Sequence, residues 1–258
     1  MGRLVTVSFR VALGGHRSLW LIAGLVALWL FAFHLYNPWE ILINETDSSS
    51  YVFVIIPAYL VLLQSDILSP WNVLTAIRVG SARVWWWSQV LLAGLVAVVM
   101  TVGVVALTVA VGLASGRRSW QWGRYGLHSE SPAVLATAPW NVPWHWSADA
   151  LGYFVVGLWV EGVLWLFLTL WWRGQWLAWL TVVALAVVSL AVKGTVAQSV
   201  AWWLPGAQFS FYFHWTTVGA VGLPWSLAYG TVMLAATAIS GWRLACQPRW
   251  LSRHGESL

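Results

Sequence analysis

Six stretches of this 258-residue chain are apolar over nearly their whole length, and they are separated by shorter segments that are polar or broken by proline and glycine. The apolar stretches cover approximately 18 to 36, 51 to 68, 87 to 114, 150 to 171, 176 to 192 and 223 to 244. A helix needs about 20 residues at 1.5 Å each to cross a hydrocarbon core. The pattern therefore predicts six spanning helices. The fifth, at 17 residues, is marginal. The third is long: with the turns from Ser81 it covers 34 residues, or about 50 Å, and should tilt or protrude.

The intervening segments differ in kind. Residues 37 to 50 hold Glu40, Glu45 and Asp47 and no basic residue. Residues 115 to 149 hold five tryptophans and three prolines and read as an ordered loop or cap. Residues 193 to 222 are apolar but interrupted by Gly194, Pro205, Gly206 and Gly219, too broken to span. Such backbone survives at membrane depth only when shielded by protein or lining water, so two half-helices re-entering from one side are expected here. At the start, Arg3, Arg10 and Arg17 recur every seven residues, with Gly14-Gly15 breaking the run before the first span, the pattern of a short amphipathic helix on the membrane surface. No small-residue cleavage site follows Leu35, so the first span is expected to be retained.

Composition sharpens this reading. The chain is 60% hydrophobic and 8% charged, against about 25% charged in soluble domains, and such a chain cannot cover a soluble surface. The formal charge of +5 flanks apolar spans, which points to anionic lipid headgroups and not to nucleic acid. With the N-terminus inside, nine basic residues fall inside (Arg3, Arg10, Arg17, Arg78, Arg83, Arg173, Arg243, Arg249, Arg253) and four outside (Arg117, Arg118, Arg124, Lys193). Nine against four places both termini in the cytoplasm. The single cysteine, Cys246, excludes an internal disulfide.

The stretch Ser69 to Gln89 stands apart. Ser69-Pro70 is a helix start, Gly80 is a stop, and Ser81 can cap the helix that follows. This predicts a short cytoplasmic helix lying across the ends of the second and third spans, with Trp85, Trp86 and Trp87 at the headgroup level. The pattern Arg78-x-Gly80-Ser81-x-Arg83-x-Trp85-Trp86, with polar Gln89 three further on, resembles the first cytoplasmic loop of small bacterial permeases, the membrane subunits of type-2 ATP-binding-cassette exporters. The match covers about a dozen residues, and the layout of six spans with a semi-apolar outer loop before the last extends it. What the resemblance implies is an all-α fold in one permease domain and a coupling helix between spans 2 and 3 docked on a separate ABC ATPase subunit. It also implies a second permease chain, alike or paralogous, and ATP and Mg bound in the ATPase and not in this chain. Trp71 and Leu74 share a helix face, and Arg78 follows Leu74 at i+4, so these three are the expected anchors, with Arg83 steadying the base of the third span. The cargo of such exporters is amphipathic or hydrophobic: drugs, lipids, peptides or glycan precursors.

Glu161 is the most suggestive polar residue, 11 residues into the fourth span and close to its middle. It is read either as a carboxylate handling substrate or protons, or as a structural carboxyl hydrogen-bonded to a Ser or Thr of a neighbouring helix. Lys193 can snorkel toward it, and Asp66, near the end of the second span, can pair with Arg78 or Arg83. Trp159 and Trp165 either line a hydrophobic path or pack. His34, His128, His145 and His214 are irregularly spaced and lack nearby Cys or Glu, so no metal site is expected. There is no Gly-x-x-x-x-Gly-Lys-Ser/Thr phosphate loop, Gly-x-Ser-x-Gly elbow or His-Glu-x-x-His helix, so catalysis within this chain is not expected. Two other functions fit part of the pattern. One is an ion- or proton-coupled secondary transporter using Glu161. The other is a non-transporting immunity or sensor subunit.

Overall fold

A computed structural model describes residues 23–24, 51–67, 81–114, 143–172, 175–192 and 222–246. These residues are entirely helical apart from Ser81 and the closing turn at Cys246. One π-helical turn, Tyr51–Ile55, leads into α1 (Ile56–Ile67). The others are α2 (Ala82–Ala114), α3 (Pro143–Trp172), α4 (Gln175–Val192) and α5 (Gly222–Ala245). The first apolar stretch, the amphipathic N-terminus, the helix expected over Pro70 to Arg78 and the re-entrant segment 193 to 222 lie outside the described residues.

The second to sixth apolar stretches each become a helix. Local chemistry explains where they start. Ser81 caps α2 as expected: its hydroxyl accepts from the backbone N–H of Val84 at 3.4 Å, and its carbonyl accepts from Trp85 N–H at 3.1 Å. Pro143 opens α3 at the first helical position, where its missing N–H costs nothing. Residues 143 to 149, expected in a loop, are therefore helical, and α3 runs 30 residues. Pro57 accounts for the π turn. It cannot donate to the carbonyl of Phe53, and its ring crowds that carbonyl, so the turn before it widens.

α3 is the hub, packing against α1, α2, α4 and α5. Contacts fix the relative direction of three pairs. Tyr51 meets Phe154 and Tyr59 meets Gly162, so α1 and α3 are parallel. Arg83 lies over Trp242 and Trp86 reaches Ala238, so α2 and α5 are antiparallel. Gln64 near the end of α1 bonds Gln175 at the start of α4, so these two are antiparallel as well.

α2 and α3 are long and apolar enough to cross a membrane, over Ala82–Ala110 and Leu151–Trp172. The surface of α2 supports that use. One stripe is buried: Trp86, Val90, Ala93, Ala97, Val104 and Thr108. The opposite stripe (Leu91, Leu95, Val98, Val102, Val109, Leu113) is exposed and equally apolar, with Val102 at 61% and Leu113 at 57%. A helix that is apolar all round yet half exposed suits hydrocarbon as its solvent.

Three aromatic rings fasten the bundle by lying on glycines. The indole of Trp159 on α3 covers Gly94 of α2, where an added Cβ would sit 2.9 Å from the ring, and its Nε1–H donates to Val90 O at 2.9 Å. Tyr59 of α1 lies against Gly162 of α3 and donates its hydroxyl to Ala93 O of α2 at 2.9 Å, joining three helices. Trp86 of α2 lies against Gly241 of α5 and donates to Ala238 O at 2.7 Å. Each ring fills the space a side chain would take and places its one polar atom on a backbone carbonyl.

Candidate functional site

Glu161 occupies the centre of the apolar segment Leu151–Trp172 and has no exposed surface. It is ten residues from one end and eleven from the other, or about 15 Å each way. Phe154, Leu158, Glu161 and Trp165, spaced by four, three and four, form one fully buried face of α3. The π turn brings Tyr51 against this face, its ring 5.4 Å from that of Phe154. Tyr51, Tyr59 and Tyr229, from the π turn, α1 and α5, all lie within electrostatic reach of the Glu161 carboxyl.

Among the described residues neither carboxyl oxygen of Glu161 accepts a hydrogen bond, and the Tyr51 hydroxyl and Trp165 Nε1–H are likewise without one. Among the described residues no serine or threonine holds Glu161. Five serine and threonine hydroxyls are turned back on their own helices, whereas that of buried Thr108 has no partner among the described residues. Ser88 donates to Trp85 O, Thr101 to Ala97 O, Thr169 to Trp165 O, Ser189 to Leu185 O and Thr237 to Met233 O, all between 2.6 and 2.8 Å. Such back-bonding satisfies a hydroxyl where no water reaches it and leaves nothing for a partner across the bundle.

A second constellation sits at the end of the bundle that carries Arg83 and Arg243. Arg83, exposed, places its guanidinium 5.4 Å from the ring centroid of Trp242. One turn further along α2, Trp86 is locked onto Gly241 and Ala238. The start of α2 is thereby fastened to the end of α5 by two consecutive turns. Of the three tryptophans expected at the headgroup level, Trp85 and Trp86 are buried and Trp87 is half-buried, with Trp86 seated against α5. The exposed aromatic residues at this end are Trp171, Trp172 and Trp176, around the α3–α4 connection.

The residues singled out from the sequence separate accordingly. Glu161 and Trp165 share one face. Trp159 packs on α2, with its indole over Gly94 and its N–H on Val90 O. Arg83 belongs to the α2–α5 fastening and is not near Glu161. Trp71, Leu74, Arg78, Lys193, His34, His128 and His214 lie outside the described residues, as do the side chains of Asp66 and His145. No group of three potential metal ligands occurs among the described residues. Sequence reasoning missed Tyr51, Tyr59 and Tyr229. Their signal was position: tyrosine in a span favours the interface, and Tyr59 and Tyr229 stand well inside theirs.

The described residues define an all-helical protein with membrane-length helices and a polar residue buried at mid-helix. Comparison with family models, with curated proteins and with solved structures finds no match.

Proposed function

We propose that this chain is the permease subunit of an ATP-driven exporter of the type-2 ATP-binding-cassette kind, with six spans and both termini in the cytoplasm. Two such chains pair, and each docks on one ABC ATPase subunit that binds ATP and Mg. The observation that carries the reading is the fastening of α2 to α5. The motif Arg78-x-Gly80-Ser81-x-Arg83-x-Trp85-Trp86 leads directly into it: Ser81 caps α2, Arg83 lies over Trp242, and Trp86 is seated on Gly241. The coupling helix proposed over Pro70 to Arg78 would lead through the Ser81 cap into this pair of helices. A push on it moves α2 and α5 together against α3, the hub that carries Glu161.

The mechanism follows from that attachment. Closure of the ATPase pair displaces the coupling helix, and the displacement passes through the capped start of α2 into the α2–α5 pair. The cargo, amphipathic or hydrophobic, meets apolar and aromatic side chains in the bundle, with Glu161 the one buried charge-bearing group among the described residues. The secondary transporter reading shares Glu161 but leaves the Ser69 to Gln89 stretch without a role. It differs in needing no ATPase, so transport that survives removal of every ATPase would favour it.

The direct experiment replaces the anchors. Trp71→Ala and Leu74→Ala combined with Arg78→Glu should release the ATPase on purification while the chain still inserts and folds, because no span is touched. Docked helices concentrate their binding energy in a few such anchors. A triple variant that keeps its full complement of ATPase and its turnover would mean that this loop is not the coupling element.

A further inference from the structure

Glu161 remains unexplained by the fold. A carboxyl with no exposed surface and no donor on either oxygen is costly to keep, and each such group in a native structure calls for a reason. It does not stand alone. The indole N–H of Trp165, one turn along α3, and the hydroxyl of Tyr51, on the π turn facing the same helix, are also buried and without a hydrogen-bond partner among the described residues. One acceptor group and two donors thus remain open on the same face.

Among the described residues no cation balances the site. The π turn, α1, α3 and α4 contain no lysine or arginine. On α2 the basic residue is Arg83, ten residues or about 15 Å from the level of Ala93. On α5 it is Arg243, fourteen residues or about 21 Å from Tyr229. A hard metal ion does not fit either. It takes six or more oxygen ligands, and the surroundings offer one carboxyl, phenols and hydrocarbon, with no group of three ligating side chains among the described residues. Aromatic rings are what the site does have: Tyr51, Phe154 and Trp165 line it, with Tyr59 and Tyr229 in reach.

We infer that the α3 face carrying Glu161 and Trp165, together with Tyr51 of the π turn, binds a lipophilic amine in its cationic form. The ammonium N–H groups donate to the two carboxyl oxygens and cancel the charge. The rings supply cation–π faces and contact for the carbon skeleton, and the Tyr51 hydroxyl and Trp165 N–H are available to an acceptor on the same molecule. The site is closed in this structure. The π turn that brings Tyr51 against this face lacks the regular α-helical ladder, a feature that recurs at functional sites. The inference rests on the permease reading in that it names the cargo class, but its test needs neither ATPase nor ATP.

The full chain in lipid nanodiscs is dialysed to equilibrium against tritiated propranolol, an aryl-alkyl amine, with empty nanodiscs subtracted. Saturable binding is expected, and the neutral N-acetyl derivative should not compete. Glu161→Gln should weaken binding by about 30-fold or more, the usual result of removing one partner of a buried charge pair, while Glu161→Asp retains most of it. Tyr51→Phe and Trp165→Phe, which remove only the two open donors, should each weaken it severalfold and guard against a Glu161→Gln variant that fails to fold. No saturable binding by a helical wild-type chain, equal affinity in Glu161→Gln, or unchanged affinity in both donor variants would overturn the inference. A chain that binds the amine and never retains an ATPase would sink the exporter reading alone. One that docks the ATPase but ignores the amine would sink the cargo assignment alone.

Discussion

Trp86, Trp159 and Tyr59 each do two things with one ring, covering a glycine and donating to a carbonyl, and the two contributions are separable by substitution. Trp86→Phe keeps most of the ring and loses only the bond to Ala238 O; interhelical bonds in membranes average about 0.6 kcal/mol, so the loss should be small. Gly241→Leu puts a side chain where the indole lies, and overpacking of this kind costs about 1–3 kcal/mol. Gly152, with nothing within 4 Å of an added Cβ, is the control, and Gly152→Ala should be neutral or gain up to about 1 kcal/mol from helix propensity. Unfolding by sodium dodecyl sulfate in mixed micelles measures all three, and equal losses at Gly241 and Gly152 would contradict the packing described. These pairings were not legible in the sequence. Gly152 and Gly162 lie on the same helix, yet Gly162 receives Tyr59 while Gly152 faces open space. Which glycine meets which ring depends on the rotation and register of two helices, and α3 is apolar on every face, so periodicity fixes neither.

At the level of elements the sequence was most informative about where helices begin and end. Five apolar stretches became helices with ends within two residues of those expected, except at the starts of α2 and α3. Ser81 shows why the start of α2 was still readable: a serine after a glycine and before a long apolar run is a cap by chemistry alone. Pro143 carried the same kind of signal for α3, hidden among the tryptophans and prolines of residues 115 to 149. The π turn could not be read, because proline two residues into a helix is compatible with either an ordinary first turn or a widened one. The fastening of α2 to α5 is the element-scale claim that matters for function. Arg83→Ala and Trp242→Phe should be non-additive in stability by about 0.5–1 kcal/mol, the usual worth of an exposed cation–π contact. In the proposed exporter assembly Arg83→Ala should leave the ATPase bound but lower transport per ATP hydrolysed. Strict additivity in a double-mutant cycle, with transport per ATP unchanged, would remove the fastening from the mechanism.

For the molecule as a whole, the directions of the three helix pairs fit a chain that threads back and forth, and the charge count is the basis for expecting the termini in the cytoplasm. Cys246, the sole cysteine and exposed at the end of α5 three residues after Arg243, reports that assignment without any engineering. A membrane-impermeant maleimide should fail to label it in intact cells and label it in inside-out vesicles, and the opposite result would invert the topology. The account as a whole depends on whether this chain works with an ATPase. Native mass spectrometry of the complex, purified gently through a tag on this chain, addresses that directly. The account predicts two permease chains carrying two ATPase subunits, with the ATPase lost in the Trp71, Leu74 and Arg78 triple variant. A chain recovered without any ATPase that still moves cargo when reconstituted would contradict it.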